Sequence, residues 1–185
     1  MRHPFQAISP DRIGKVLIPL ILLTLIFMIT LNWLSAPLSN PSTPNGIISF
    51  ELAGEVDAAR TILASWDAET QLIAALSLGL DYLFLVVYST AIGMGCIWTT
   101  SAFSPNGALL MTTGVLLAWG QWFAALFDGF ENAALLNMLL GDLQSPWPQV
   151  ARIFAITKFT LIALSLIYVM IGALIKIVRR AHPRS

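Results

Sequence analysis

Residues 72–98 read LIAALSLGLDYLFLVVYSTAIGMGCIW, a run of 27 residues in which Asp81 is the single charge. A bilayer's hydrocarbon core is about 30 Å thick and takes roughly 20 apolar helical residues to cross. This run is long enough, and three others resemble it. Residues 16–34 carry only Thr24, Thr30 and Asn32 as polar interruptions. Residues 108–140 exceed a simple span and hold Asp128 and Glu131 towards their end, and residues 153–175 are interrupted by Lys158. Pro37, Pro41 and Pro44 follow the first run, Pro105 separates the second from the third, and Pro146 and Pro148 precede the fourth. None lies inside the last three runs, as uninterrupted helices require. The reading is an all-α, four-transmembrane-helix bundle forming one membrane domain over residues 1–185.

Composition agrees. Of 185 residues, 57% are hydrophobic and 11% charged, with a mean hydropathy of +0.77. A soluble domain carries about a quarter charged residues, so this chain lacks the means to cover a water-facing surface. Ten Lys and Arg balance ten Asp and Glu, which excludes a basic nucleic-acid footprint. The lone Cys96 excludes an internal disulfide and a Cys-rich metal site. His3 and His182 fall in the two tails, so a His-ligated centre inside the bundle is not expected, and no metal or cofactor is assigned.

Lys and Arg placement sets the expected orientation. Arg2, Arg12 and Lys15 precede the first run, and Lys176, Arg179, Arg180 and Arg184 follow the last. The loop 35–71 is acidic, with Glu51, Glu55, Asp57, Asp67 and Glu69 against Arg60. Both termini are therefore expected in the cytoplasm of a cell with the chain in its inner membrane. Trp33, Trp66 and Trp147 would mark the outer boundary and Trp98 the inner one. The basic start also suits a cleaved signal peptide, but the first apolar run exceeds the 7–15 residues usual there, so a retained anchor is expected. Within the loop, Val56, Ala59, Leu63 and Trp66 recur at helical spacing opposite Glu55, Asp57 and Arg60, which predicts a short amphipathic helix. Asp67 is placed to cap the second span, with Glu69 in its first turn.

Depth follows from a rise of 1.5 Å per residue. Counted from Trp98, Ala108 and Lys176, the residues Asp81, Asp128 and Lys158 stand about 26, 30 and 27 Å up. Three helices thus carry charge at one expected level, near the outer boundary. Ser77, Asp81 and Tyr88 share a face, as do Gln121, Asp128, Glu131 and Asn132, and Lys158 with Ser165 and Tyr168. Polar groups within spans face the bundle interior or a wet cavity, so the three faces combine into an outward-opening polar cup. Acids outnumber Lys158 there, with Arg152 at the rim, which favours a cation, a proton or an amine headgroup. Each residue also has a plainer reading. Asp128 and Glu131 sit where an over-long helix leaves the membrane, Lys158 is placed to snorkel, and Asp81 and Lys158 can pair structurally. Trp119 and Trp122 are expected to pack rather than to stack on a ligand. Gly79, Gly93, Gly95, Gly114 and Gly120 are expected to allow close helix approach.

The blocks SFELAG (49–54), SLGLDYLFL (77–85) with Tyr88, WGQWFAALFD (119–128) with ENAAL (131–135), and Lys158-Phe159 resemble an uncharacterised family of small bacterial integral membrane proteins. The resemblance covers roughly residues 46–171 and implies that Glu51, Asp81, Asp128, Glu131, Asn132 and Lys158 belong to shared blocks; it implies no activity.

Three functions compete. The favoured one is a binding or transport module for a small cationic or amphipathic ligand at Asp81, Asp128, Glu131, Asn132, Lys158, Gln121 and Glu51; transport through four helices would call for a homodimer. The second is a structural subunit or assembly factor of a membrane complex, in which the polar layer fixes helix register. The third is a lipid-modifying membrane enzyme with a carboxylate as base or as ligand to a hard cation. The expected partners are the lipid bilayer, a small-molecule or lipid ligand, and a second copy or complex subunit; nucleic acid is not among them.

Overall fold

The computed structural model describes residues 2–103 and 107–181, apart from the side chains of residues 10, 11 and 180. Pro105, His182 and Arg184 lie outside the described residues. Among those described, the structure is all-helical. The elements are α1 (Pro10–Ser35), α2 (Ile47–Glu51), α3 (Val56–Ala64), α4 (Ala68–Thr100), α5 (Ala108–Leu139) and α6 (Trp147–Ala181), with 3₁₀ turns at Pro4–Ala7 and Ala36–Leu38. Four of these, α1, α4, α5 and α6, are long and apolar enough to cross a membrane. This is a multi-pass membrane protein.

Local chemistry explains the element ends. Asp67 accepts a hydrogen bond from the Thr70 backbone N–H at 2.8 Å and caps α4, satisfying one of the donors a helix start leaves free. Within the spans, Thr24 and Thr30 return their hydroxyls to the carbonyls of Leu20 and Ile26. Lipid offers them no other partner.

The 36–67 loop folds down over one end of the bundle, called here the loop end; the start of α1 and the end of α6 lie at the opposite, tail end. Leu38, Phe50, Ile62, Leu63 and Trp66 form a core there with Leu135, Met138 and Ala151. The expected amphipathic helix is α3, and it turns Ala59, Ile62 and Leu63 inward. Trp66 departs from the boundary role read in the sequence. It is buried, its ring stands edge-on to Phe50, and its indole N–H donates to the Leu38 carbonyl at 3.0 Å. An indole with a buried acceptor within reach is better placed inside than in a headgroup layer. Gly54, with φ +71°, turns α2 into α3 where the Arg152 side chain lies so close that a Cβ would stand 2.6 Å from its Cδ.

The helix packing is uneven. α5 sits between α4 and α6 with extensive contact to both, whereas α1 leans mainly on α4. Gly114 lets α6 approach, its missing Cβ leaving room for the Tyr168 hydroxyl, and Gly172 receives Thr99. Gly79 makes no such approach, because nothing lies within 4 Å of its would-be Cβ.

His3 also departs from expectation. It does not trail in a tail but is buried, with its ring 4.9 Å from Trp119 and 5.0 Å from Trp122. Trp119 and Trp122 therefore pack, as expected, around a histidine supplied by the 3₁₀ turn. Phe5 meets Trp122 edge-on beside it. That turn fastens the foot of α1 to the bundle, and the Ala36–Leu38 turn fastens its head through buried Leu38.

Candidate functional site

Helix register places the charges. Gly114 of α5 lies against Thr100 of α4, and Gly172 of α6 against Thr99, so these four mark one level near the tail end. Asp128 and Lys158 each stand about 21 Å above it, while Asp81 and Asn132 stand about 28 Å and 27 Å above. The single stratum read from the sequence is thus two layers about 7 Å apart. The count from Ala108 overshoots because α5 begins six residues, about 9 Å, before the level where α4 ends.

The lower layer is a closed ion cluster. Lys158 Nζ lies 2.6 Å from Asp128 Oδ1 and 2.9 Å from Glu131 Oε2, and Tyr88 donates its hydroxyl to Asp128 Oδ2 at 2.9 Å. All four side chains are buried. A direct Asp81–Lys158 pair is absent, since Asp128 stands level with Lys158 and takes its charge. Glu131 is sealed inside, and its Oε1 meets no donor.

The upper layer is looser. Asn132 donates to Asp81 Oδ2 at 2.7 Å, and Asp81 is only half-buried. Glu51 arrives from outside the spans, because α2 turns back over the loop end. Its Oε2 is buried and stands 4.0 Å from Lys158 Nζ, and its carboxyl also meets that of Glu131. Burial pushes the Glu51 carboxyl above its usual range, against the pull of Lys158, and the Asp128 charge pushes the same way. A buried carboxyl so placed has spare capacity for a donor.

Gln121 does not join the site. It bridges α5 to α6 instead, donating to the Leu161 carbonyl at 3.1 Å and to Ser165 Oγ at 2.7 Å, about 10 Å nearer the tail end than Asp128. Arg152 reaches over Gly54 at the loop end, as the rim placement suggested.

The cavity is a groove rather than a cup. Because α1 touches α4 and stands off α6, a space of about 720 Å³ runs along α4 between them, within the 300–1,000 Å³ typical of ligand sites. Glu51, Asp81, Asp128, Asn132, Tyr88 and Lys158 line its loop end. Below them the wall is apolar, with Ile92 from α4, Ile162 and Leu166 from α6, and Ile21 and Leu25 from α1. The α1 wall was readable and went unread. Thr24 and Asn32, eight residues apart, share the helical face that lines the groove with Met28 and Ser35.

The described residues thus define a four-span helical membrane protein with an acid-headed lateral groove. Comparison with family models, curated proteins and solved structures finds no match for the chain.

Proposed function

We propose that the protein binds a cationic amphiphile, its ammonium group between Glu51 and Asp81 and its apolar part in the groove between α1 and α6. The observation carrying this reading is the division of labour among the acids. Lys158 is already engaged by Asp128 at 2.6 Å and Glu131 at 2.9 Å, whereas Glu51 lines the groove with Lys158 no nearer than 4.0 Å and Asp81 lines it with only Asn132 as donor. Four carboxyl groups stand against one ammonium. A ligand with N–H donors or a fixed positive charge supplies what the site lacks, while an anion meets repulsion from Glu51 and Asp81 together. Both tails, with seven of the ten basic residues, are assigned to the cytoplasm, which opens the acid end towards the outer leaflet. The resemblance to small bacterial membrane proteins supports an inner-membrane location.

The test is binding of hexadecylammonium, whose three N–H groups can donate to both carboxylates, to the purified full chain by native mass spectrometry. Asp81→Asn and Glu51→Gln are each expected to weaken binding about tenfold, in line with loss of one charge-assisted contact, while both still fold and lose no more than about 1 kcal/mol of stability relative to the parent. Unchanged binding in both variants removes the proposal.

One observation favours a second reading. The Lys158–Asp128–Glu131 cluster pairs its charges internally and joins α5 to α6, as a register device in a structural subunit would. The two readings divide the layers between them. An enzyme fits less well, since the Lys158 ammonium fills the centre of the acid cluster, where a hard cation would have to sit.

A further inference from the structure

We infer that the groove measures its ligand, taking an extended alkyl chain of about 17 carbons, and that Gly95 sets that length; this rests on the headgroup reading above. The groove runs from Asp81 to Gly95 along α4, fourteen residues or about 21 Å. It ends on a floor. Gly95, Val169 and Leu17 are its lowest lining residues, and beneath them Ile13 is buried in a cluster with Met94 and Ile97. A Cβ on Gly95 would stand 3.4 Å from Val169 Cγ2, so any larger side chain there must project into the groove or push Val169 into it. Carbon–carbon bonds of about 1.52 Å at about 111° advance roughly 1.25 Å each along a zigzag, which gives about 17 carbons over the length of the groove. Half of a bilayer's hydrocarbon core is about 15 Å deep. The groove therefore runs past the midplane, and a chain filling it is held straight rather than disordered. Glu51 and Asp81, the two acids at the loop end of the groove, fix which end of the molecule stays there.

The experiment is competition among n-alkyltrimethylammonium ions of 10 to 22 carbons for the detergent-purified full chain, read by native mass spectrometry. Occupancy is expected to rise about fourfold per added methylene up to 16–18 carbons and then to stop rising. Gly95→Leu is expected to move that break to chains two to four carbons shorter. Val169→Ala, which opens the same floor without adding bulk, is expected to move it to longer ones. An unbroken rise to 22 carbons, or a break at the same length in all three proteins, overturns the inference. Alkyl sulfates of the same lengths separate it from the reading on which it rests. If they bind as well as the ammonium ions with the same break, the headgroup assignment fails and the floor stands. If short ammonium ions bind as tightly as long ones, the floor fails and the acids stand.

Discussion

Lys158→Met is expected to be the most damaging single change in the bundle, and its pairing with Asp128→Asn tests why. At an effective dielectric of about 20, the 2.6 Å contact to Asp128 and the 2.9 Å contact to Glu131 are each worth about 6 kcal/mol of attraction. Desolvation of several kcal/mol per ion opposes them. What remains on removing the ammonium is two buried carboxyl groups without a counter-charge, a loss of about 3–5 kcal/mol. Asp128→Asn is milder, about 1–3 kcal/mol, because Glu131 still engages Lys158 and Tyr88 keeps an acceptor. The double variant is expected to be more stable than Lys158→Met alone, since it removes one of the stranded acids; the coupling should reach at least about 2 kcal/mol. Asp81→Asn, which disturbs only the Asn132 contact, is expected to stay within about 1 kcal/mol of the parent. Unfolding by SDS in mixed micelles, followed by circular dichroism, reads all four proteins. Additive losses in the pair, or a Lys158→Met loss below about 1 kcal/mol, would refute the closed-cluster account.

Glu51 carries a carboxyl raised by burial from an ordinary value of 4.5. The folded state therefore holds that proton more tightly than the unfolded chain, and the contribution, present below pH 4.5, declines as pH rises. Glu51→Gln is expected to melt higher than the parent at neutral pH and to converge with it near pH 4, as thermal scans across that range would show. His3 is lowered by burial from 6.5, so its contribution is present above pH 6.5 and is lost as pH falls below it. Acidification to pH 5 is expected to loosen the 3₁₀ turn and shift Trp119 and Trp122 fluorescence, and a His3→Gln protein should show no such shift. Gly114→Ala would drive a Cβ into the Tyr168 hydroxyl and is expected to cost about 1–3 kcal/mol. Gly79→Ala, with open space around it, is expected to gain up to about 1 kcal/mol through helix propensity. Melting curves of the two side by side test both.

The four spans, the Asp67 cap and the α3 face were legible because hydropathy and helical period report on single elements. The inward faces of α4, α5 and α6 were legible for the same reason, and Tyr88, Asp128, Asn132 and Lys158 do converge. Vertical register was not. It depends on where each helix starts relative to its neighbours, and Gly114 meeting Thr100 is a contact between helices that no count along one of them supplies. That offset exchanged Asp81 for Asp128 as the partner of Lys158, whereas the separation of about 10 Å between Gln121 and Asp128 lies along α5 itself. Trp66 and His3 mislead for a related reason. Each lies in a segment whose polarity suits an interface, yet each is carried inward by a turn that folds back on the bundle. The groove escaped notice because it depends on α1 standing apart from α6, a gap between helices distant in sequence.

α1 is pinned at its foot by the Pro4–Ala7 turn and at its head by Leu38, while its middle rests mainly on α4. Pro19, inside that helix, has no N–H to give the Lys15 carbonyl, which thins the backbone ladder close to the lower end of the slot. A rod tied at both tips and softened near one of them opens by bowing, and its outer side is pressed by acyl chains rather than water. Admission to the slot is then governed by the thickness and lateral pressure of the surrounding lipid, so the same chain is expected to load differently in thin and thick bilayers.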